Sequence, residues 1–159
     1  MMFRVGFSKD IHKLVDNRKL LIGGVIVPFH KGEEAHSDGD VLFHAVAESI
    51  LGALGKNDLG YYFPDTINET KDMDSSLIVK RVLKLMKEEN FVISNIDILI
   101  QLEKPKLKEY IALIKKNVTD VLEISLGQVS IKVGTNEGLG EVGRNEAIEC
   151  YSCVLLEKK

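Results

Sequence analysis

Val41-Leu42-Phe43-His44-Ala45-Val46-Ala47-Glu48-Ser49-Ile50-Leu51-Gly52-Ala53-Leu54 carries apolar side chains at helical spacing, and Ser37, Asp38 and Asp40 just ahead of it are good N-cap residues. The stretch predicts a helix. On it Asp40, His44 and Glu48 stand four apart, so they are expected to project from one polar face of an otherwise apolar helix. Upstream, residues 3–7 read as a short strand, followed by a loop carrying Asp10 and His12. Residues 19–29 read as a hairpin or bulge interrupted by Gly23-Gly24. Downstream, residues 57–74 hold Gly60, Pro64, Asp65, Asn68 and Asp72, which break any period and predict a long mobile loop of the lid kind. Then come an amphipathic helix over 75–89, a strand over 91–103 with alternating isoleucines, and a helix over 107–122. Strands over 128–134 and 147–156 close the chain, separated by a glycine-rich segment at 135–144. The order β, β, α, α, β, α, β, β predicts an α+β fold, a mixed β-sheet with helices packed on one face.

With 159 residues the chain forms one domain, 1–159, large enough to bury a core without disulfides or a structural metal. Hydrophobic residues make up 45% and charged residues 28%, which excludes long disorder, and no apolar run approaches a membrane span. A net charge of −3 offers no general attraction to nucleic acid or anionic lipid, and the N-terminus lacks the features of a secretion signal, so a cytoplasmic, soluble protein is expected. Cys150 and Cys153 have C-x-x-C spacing, but on a strand positions three apart face opposite sides, which favours ordinary packed thiols over a redox or zinc pair.

All four histidines, His12, His30, His36 and His44, fall in the first 44 residues with Asp10, Asp38 and Asp40. In Asp10-Ile11-His12 the two polar side chains share a side if the backbone is extended, with Ile11 pointing away toward a core. Asp10, His12 and His44 would make a three-ligand zinc site with one coordination position left over; spacing alone favours the other reading, hydrogen-bonded surface or core histidines. Three other stretches suit a phosphorylated ligand. Ala35-His36-Ser37-Asp38-Gly39 precedes a helix N-terminus, where an anion or simple capping would both satisfy the free N–H groups. Thr135-Asn136-Glu137-Gly138-Leu139-Gly140 permits close backbone approach, and Glu137 could hold a hard cation. Glu103-Lys104-Pro105-Lys106-Leu107-Lys108 could cradle a nucleotide or be a solvated lysine-rich surface.

Together these segments resemble the 2-C-methyl-D-erythritol 2,4-cyclodiphosphate synthase family of the non-mevalonate isoprenoid pathway. The resemblance runs in collinear order through Arg4-Val5-Gly6, Asp10-Ile11-His12, Ile22-Gly23-Gly24-Val25, Ala35-His36-Ser37-Asp38-Gly39-Asp40-Val41 with His44, Leu59-Gly60 with Phe63-Pro64-Asp65-Thr66, Pro105-Lys106, and Glu137-Gly138-Leu139-Gly140 with Gly143-Arg144. It implies a metal-dependent phosphorus–oxygen lyase that releases CMP while closing a cyclic diphosphate. Its zinc ligands would be Asp10, His12 and His44, and a second divalent ion, magnesium or manganese, would sit near Glu137. His36 and Thr135 would stabilise the transition state. Further substrate contacts implied are Ser37, Asp58, Gly60, Phe63, Asp65, Pro105, Lys106, Leu107, Asn136 and Arg144. The resemblance also implies a homotrimer with sites between subunits, Thr135 and Lys106 coming from a neighbour. The chain departs from the usual pattern at Ile67, where many members have aspartate, at Glu141, where an apolar or aromatic residue is common near the trimer axis, and at Ser8-Lys9, Gly134 and Asn136.

Overall fold

The computed structural model describes residues 2–35, 37–63 and 73–159. A five-stranded sheet runs in the order β4 (Lys31–Glu34), β1 (Phe3–Asp16), β7 (Ala147–Lys158), β5 (Phe91–Gln101), β6 (Val129–Gly134). Every pairing is antiparallel except β5 with β6, so the sheet is mixed. Helices α1 (Val41–Ala53), α3 (Ser75–Glu88) and α4 (Ile111–Leu122) join the sheet in one hydrophobic core. The α+β class follows as expected.

β1 is fourteen residues long, nearly three times the length the sequence suggested: the supposed loop at Asp10 and His12 is strand, paired residue by residue with β7 from Phe3↔Glu157 to Lys13↔Ala147. Charged and polar residues obscured it, yet the period of two is intact. Gly6, Ser8 and Leu14 are buried beneath the helices, while Phe3, Val5, Phe7 and Ile11 are 50, 68, 66 and 46% exposed on the opposite face. Ile11 therefore points onto an open sheet face, not into a core as the sequence reading had it. β4 was missed altogether; only its pairing with β1 makes those four residues a strand.

Residues 19–29 do form a hairpin, β2 (Leu20–Ile22) and β3 (Val25–Val27), with register Ile22↔Val25 leaving Gly23-Gly24 as the turn. Both glycines have positive φ, 57° and 75°, the backbone of a two-residue hairpin turn. Helix α4 starts later than expected, at Ile111, because Leu107 O caps a preceding turn by accepting from Tyr110 N and Ile111 N. Within the segment read as a loop lies a one-turn helix, α2 (Leu59–Tyr62), started by Asp58 Oδ1 accepting from Tyr61 N at 3.0 Å. The rest of that loop, 64–72, lies outside the described residues. Cys150 is buried and Cys153 exposed, on opposite faces, so only the first is a packed thiol.

Asp40 does not join His44 and Glu48 on a polar face, as the four-residue spacing suggested. It is the N-cap of α1, wholly buried, and its carboxylate accepts from Phe43 N (3.1 Å) and from the hairpin turn at Gly23 N (2.9 Å) and Gly24 N (2.6 Å). One side chain thus fastens the start of the helix to the hairpin. Burial pushes its carboxyl up to about 6, with the three N–H groups pulling the other way. Asp40→Ala strands three N–H donors, two of them beneath buried backbone, and should lower stability on the order of 2–4 kcal/mol in urea unfolding.

Candidate functional site

Asp10 and His12 are alternate residues of β1 and lean to the helix side, where His44, one turn into α1, meets them. Asp10 Oδ2 lies 3.1 Å from His12 Nε2 and 3.3 Å from His44 Nδ1, and the two ring nitrogens are 3.3 Å apart. Among the described residues this is the group whose ligand atoms converge closely enough to hold a metal ion. Four donors set tetrahedrally at about 2.0–2.1 Å from zinc are separated by about 3.3–3.4 Å, so the observed triangle has the edge lengths of one tetrahedral face.

The other nitrogen of each imidazole is already engaged. His12 Nδ1 donates to Glu33 Oε2 at 2.8 Å and to Gly39 O at 2.9 Å, which turns Nε2 toward Asp10. His44 Nε2 faces Ser75 Oγ at 2.9 Å and Ser37 Oγ at 3.2 Å, and Ser75 Oγ donates in turn to Asp38. A hydroxyl spent on Asp38 can only accept from His44, so Nε2 carries the proton and Nδ1 is free to ligate. Nε2 of His12, once its proton is released, and Nδ1 of His44 thus face the same point, and the donor set of two nitrogens and one oxygen fits zinc.

Electrostatics points the same way. Burial opposes a charge on Asp10, but the hydrogen bonds and charges of His12 and His44 outweigh it and hold the carboxyl well below the usual range. Burial likewise disfavours protonated His12, yet Asp10 and Glu33 on either side raise it to about 10. Desolvation raises buried Glu33 to about 8, His12 pulling it back. Two carboxylates around two imidazoles form a cluster whose best occupant is a cation.

The triad opens on a cavity of about 460 Å³, lined also by Ser37, Glu48, Gly60 and Phe63. Glu48 reaches over to accept from Leu59 N at 2.9 Å, fixing α2 at the rim, and burial raises its carboxyl. Asp58 caps α2 and is not among the residues lining the cavity. The N–H groups ahead of α1 are not available to an anion: Gly39 N, Asp40 N, Val41 N and Phe43 N donate to Ser37, Asp38, Glu33 and Asp40 respectively. Capping, the alternative to phosphate binding there, is what the local structure does. His36 and Asp65 lie outside the described residues.

The remaining expected contacts gather elsewhere. β5 and β6 run parallel and end together: Leu102 N donates to Gly134 O and Asn136 N to Glu103 Oε2 at 3.2 Å, so the segments at Pro105-Lys106-Leu107 and Thr135-Asn136-Glu137 are neighbours. Thr135 Oγ1 donates to Glu137 Oε1 at 3.1 Å. Arg144, exposed, pairs with Glu146 at 3.0 Å. None of these lines the cavity within one chain. Asp10, Cys150, Ile100 and Val133 lie in one row across the sheet, so this second cluster sits at the same sheet end as the triad, two to three strand spacings away, or about 10–15 Å. His30, the fourth histidine, is exposed beside Asp16 and takes no part. Sequence reasoning missed Glu33 and Ser75; neither stands in a motif, and only pairing of β4 and the docking of α3 bring them in.

Fold and site together define an α+β protein with a candidate metal site of two histidines and an aspartate, and comparison with known proteins gives the family. The model of the YgbB family matches residues 3–157. The chain is 47% identical over 158 residues to the 2-C-methyl-D-erythritol 2,4-cyclodiphosphate synthase of Fusobacterium nucleatum, covering 99% of both chains, and 44% identical over 157 residues to that of Bacillus subtilis, again 99% of both. Among solved structures, the bifunctional IspDF from Campylobacter jejuni superposes with a TM-score of 0.95 at 35% identity, over 99% of this chain and 43% of that one. A Plasmodium falciparum IspF in complex with CDP gives 0.87 at 36% identity, over 99% and 97%. The chain belongs to the YgbB family, the 2-C-methyl-D-erythritol 2,4-cyclodiphosphate synthases.

The geometry predicts one zinc per chain by metal analysis, lost in His44→Ala, whose circular dichroism should remain that of the folded protein because the core does not depend on the metal. Since zinc must displace the proton that Asp10 and Glu33 hold on His12, zinc affinity should fall as pH is lowered from 8 to 6, by about tenfold per unit for each proton displaced.

Proposed function

We propose that the chain converts 4-diphosphocytidyl-2-C-methyl-D-erythritol 2-phosphate to 2-C-methyl-D-erythritol 2,4-cyclodiphosphate with release of CMP. The observation that carries this is the convergence of Asp10, His12 and His44 on one point at the mouth of the cavity, in a chain of this family. An oxygen of the substrate's 2-phosphate attacks the β-phosphorus, the bond from that phosphorus to the bridging oxygen breaks, and CMP departs with the bonding pair. The nucleophile belongs to the substrate, so the protein needs neither an activated serine nor an activated cysteine; its task is to orient two phosphates and offset their charge.

Asp10, His12 and His44 hold zinc, and Glu137 helps hold a second divalent ion, magnesium or manganese. When bound, these ions supply Lewis-acid stabilisation of the charge that grows on the phosphoryl oxygens. His36 and Thr135 stabilise the transition state as hydrogen-bond donors. Ser37, buried beside His44, Gly60 and Phe63 shape the pocket for the methylerythritol unit, whose hydroxyls Asp58 and Asp65 accept. Pro105, Lys106 and Leu107 take the cytosine, and Asn136 and Arg144 bind further along the nucleotide. That a relative was solved with CDP supports a cytidine nucleotide here.

The two clusters meet between copies of the chain in a homotrimer. What supports this is the open sheet face: Phe3, Val5, Phe7 and Ile11 form an apolar row on β1 that a soluble monomer would leave in water. Among the described residues no helix is long and apolar enough to cross a membrane.

Incubation with the diphosphocytidyl substrate and magnesium should yield CMP and the cyclic diphosphate in equal amounts; acyclic products, or no turnover with metal replete, would contradict the assignment. Sedimentation should give a mass about three times the 17.7 kDa chain. Val5→Glu, which puts a charge into the open face, should shift that mass toward the monomer and reduce turnover by at least about 100-fold while the chain stays folded.

A further inference from the structure

Glu33 is the most buried carboxylate facing the triad, 1% exposed, on the short edge strand β4. Its pairing with Leu14 turns it to the helix side of the sheet, next along from His12. Oε2 accepts from His12 Nδ1 at 2.8 Å and from Val41 N, the first residue of α1, at 2.9 Å; Oε1 is buried without a partner among the described residues. A carboxyl taken out of water with one oxygen unfilled costs stability, and capping Val41 N needs only one neutral acceptor oxygen. Gly39 O already accepts from the same His12 nitrogen at 2.9 Å, so the ring's tautomer does not require a carboxylate. What Glu33 adds is negative charge behind a ligating imidazole, and a brace between that imidazole and the helix that carries His44.

We propose that Glu33 is a positioning residue of the metal centre: by accepting from His12 Nδ1 it makes His12 a stronger donor and tightens the grip of Asp10, His12 and His44 on a divalent cation. The inference rests on the reading that this triad binds metal and names the group that sets how firmly. A carboxylate behind a metal-bound imidazole raises the basicity of the ligating nitrogen, and its loss generally weakens metal binding by about 10–100-fold. Glu33 touches no substrate atom; it acts through His12.

The test uses the full chain, with zinc titrated against a chromophoric chelator for the wild type, Glu33→Gln and Glu33→Leu. Urea unfolding of the metal-free proteins and the visible spectrum of the cobalt(II)-loaded forms are measured beside it. Both variants should bind zinc about 10–100-fold more weakly and keep the intense absorption of a tetrahedral cobalt site, since the three ligands are untouched. Metal-free Glu33→Gln, which keeps an acceptor for Val41 N and removes a carboxyl whose ionisation desolvation opposes, should be at least as stable as the wild type, whereas Glu33→Leu also strands Val41 N and should be less stable than Glu33→Gln. A purely structural Glu33 gives a lower metal-free stability in Glu33→Gln with zinc affinity unchanged, and that result overturns the proposal. So does zinc binding within about twofold of wild type in folded variants. If the wild type itself binds no zinc, or binds it as well in His44→Ala, the triad reading fails first and the inference with it, a pattern distinct from the other two.

Discussion

Helix α1 lies against β1 at a distance that only glycine permits. A Cβ on Gly6 would stand 2.7 Å from Ala53 N and would run into the Ser49 carbonyl, so any other residue would push the helix off the sheet. Ser8 Oγ donates to Ala45 O at 2.7 Å across the same interface, and the Ser49–Ser152 hydroxyl pair at 2.8 Å ties α1 to the neighbouring strand β7. The separation of helix and strand sets how far His44 stands from Asp10 and His12. An ångström of extra spacing would open a triangle whose sides are now 3.1–3.3 Å beyond what one small cation can span. Close packing is therefore a condition of the chemistry as well as of stability, and Asp40 completes it by fixing where the helix begins.

The groups around that triangle divide the labour. Inside the chain, buried hydrogen bonds orient both imidazoles: Glu33 and Gly39 behind His12, Ser75 and Asp38 behind His44. At the ends of the parallel pair β5 and β6, the Lys106 and Thr135 segments form a second, more exposed surface. In the proposed reaction, where the substrate attacks itself, the first part would grip phosphate charge and the second the nucleotide, with no need of a protein nucleophile between them.

Much of this is legible in the sequence because local rules and tertiary structure agree there. The α1 helix appears from its apolar period and ends within one residue of the expected place, and Gly23-Gly24 marks a hairpin turn whose positive φ values favour glycine. Type and spacing pick out Asp10, His12 and His44 as candidate ligands, and the family resemblance favours metal binding over mere hydrogen bonding. What the sequence hid depends on partners distant in the chain. β1 carries Ser8, Lys9, Asp10, His12 and Lys13 in its middle, which reads locally as loop; eleven pairings with β7 make it a strand. Asp40 sits at helical spacing from His44, yet as the N-cap it turns toward the hairpin, a choice decided by two N–H groups sixteen and seventeen residues earlier. Glu33 and Ser75 lie in no motif and reach the histidines only through strand pairing and helix docking.

Anomalous diffraction at the zinc edge, from crystals of the zinc-loaded protein soaked with CMP, bears most directly on the account. One peak per chain is expected about 2.0–2.2 Å from a carboxylate oxygen of Asp10, Nε2 of His12 and Nδ1 of His44, with no further side chain in the shell. A peak at any other place, or a fourth protein ligand completing the tetrahedron, would contradict it.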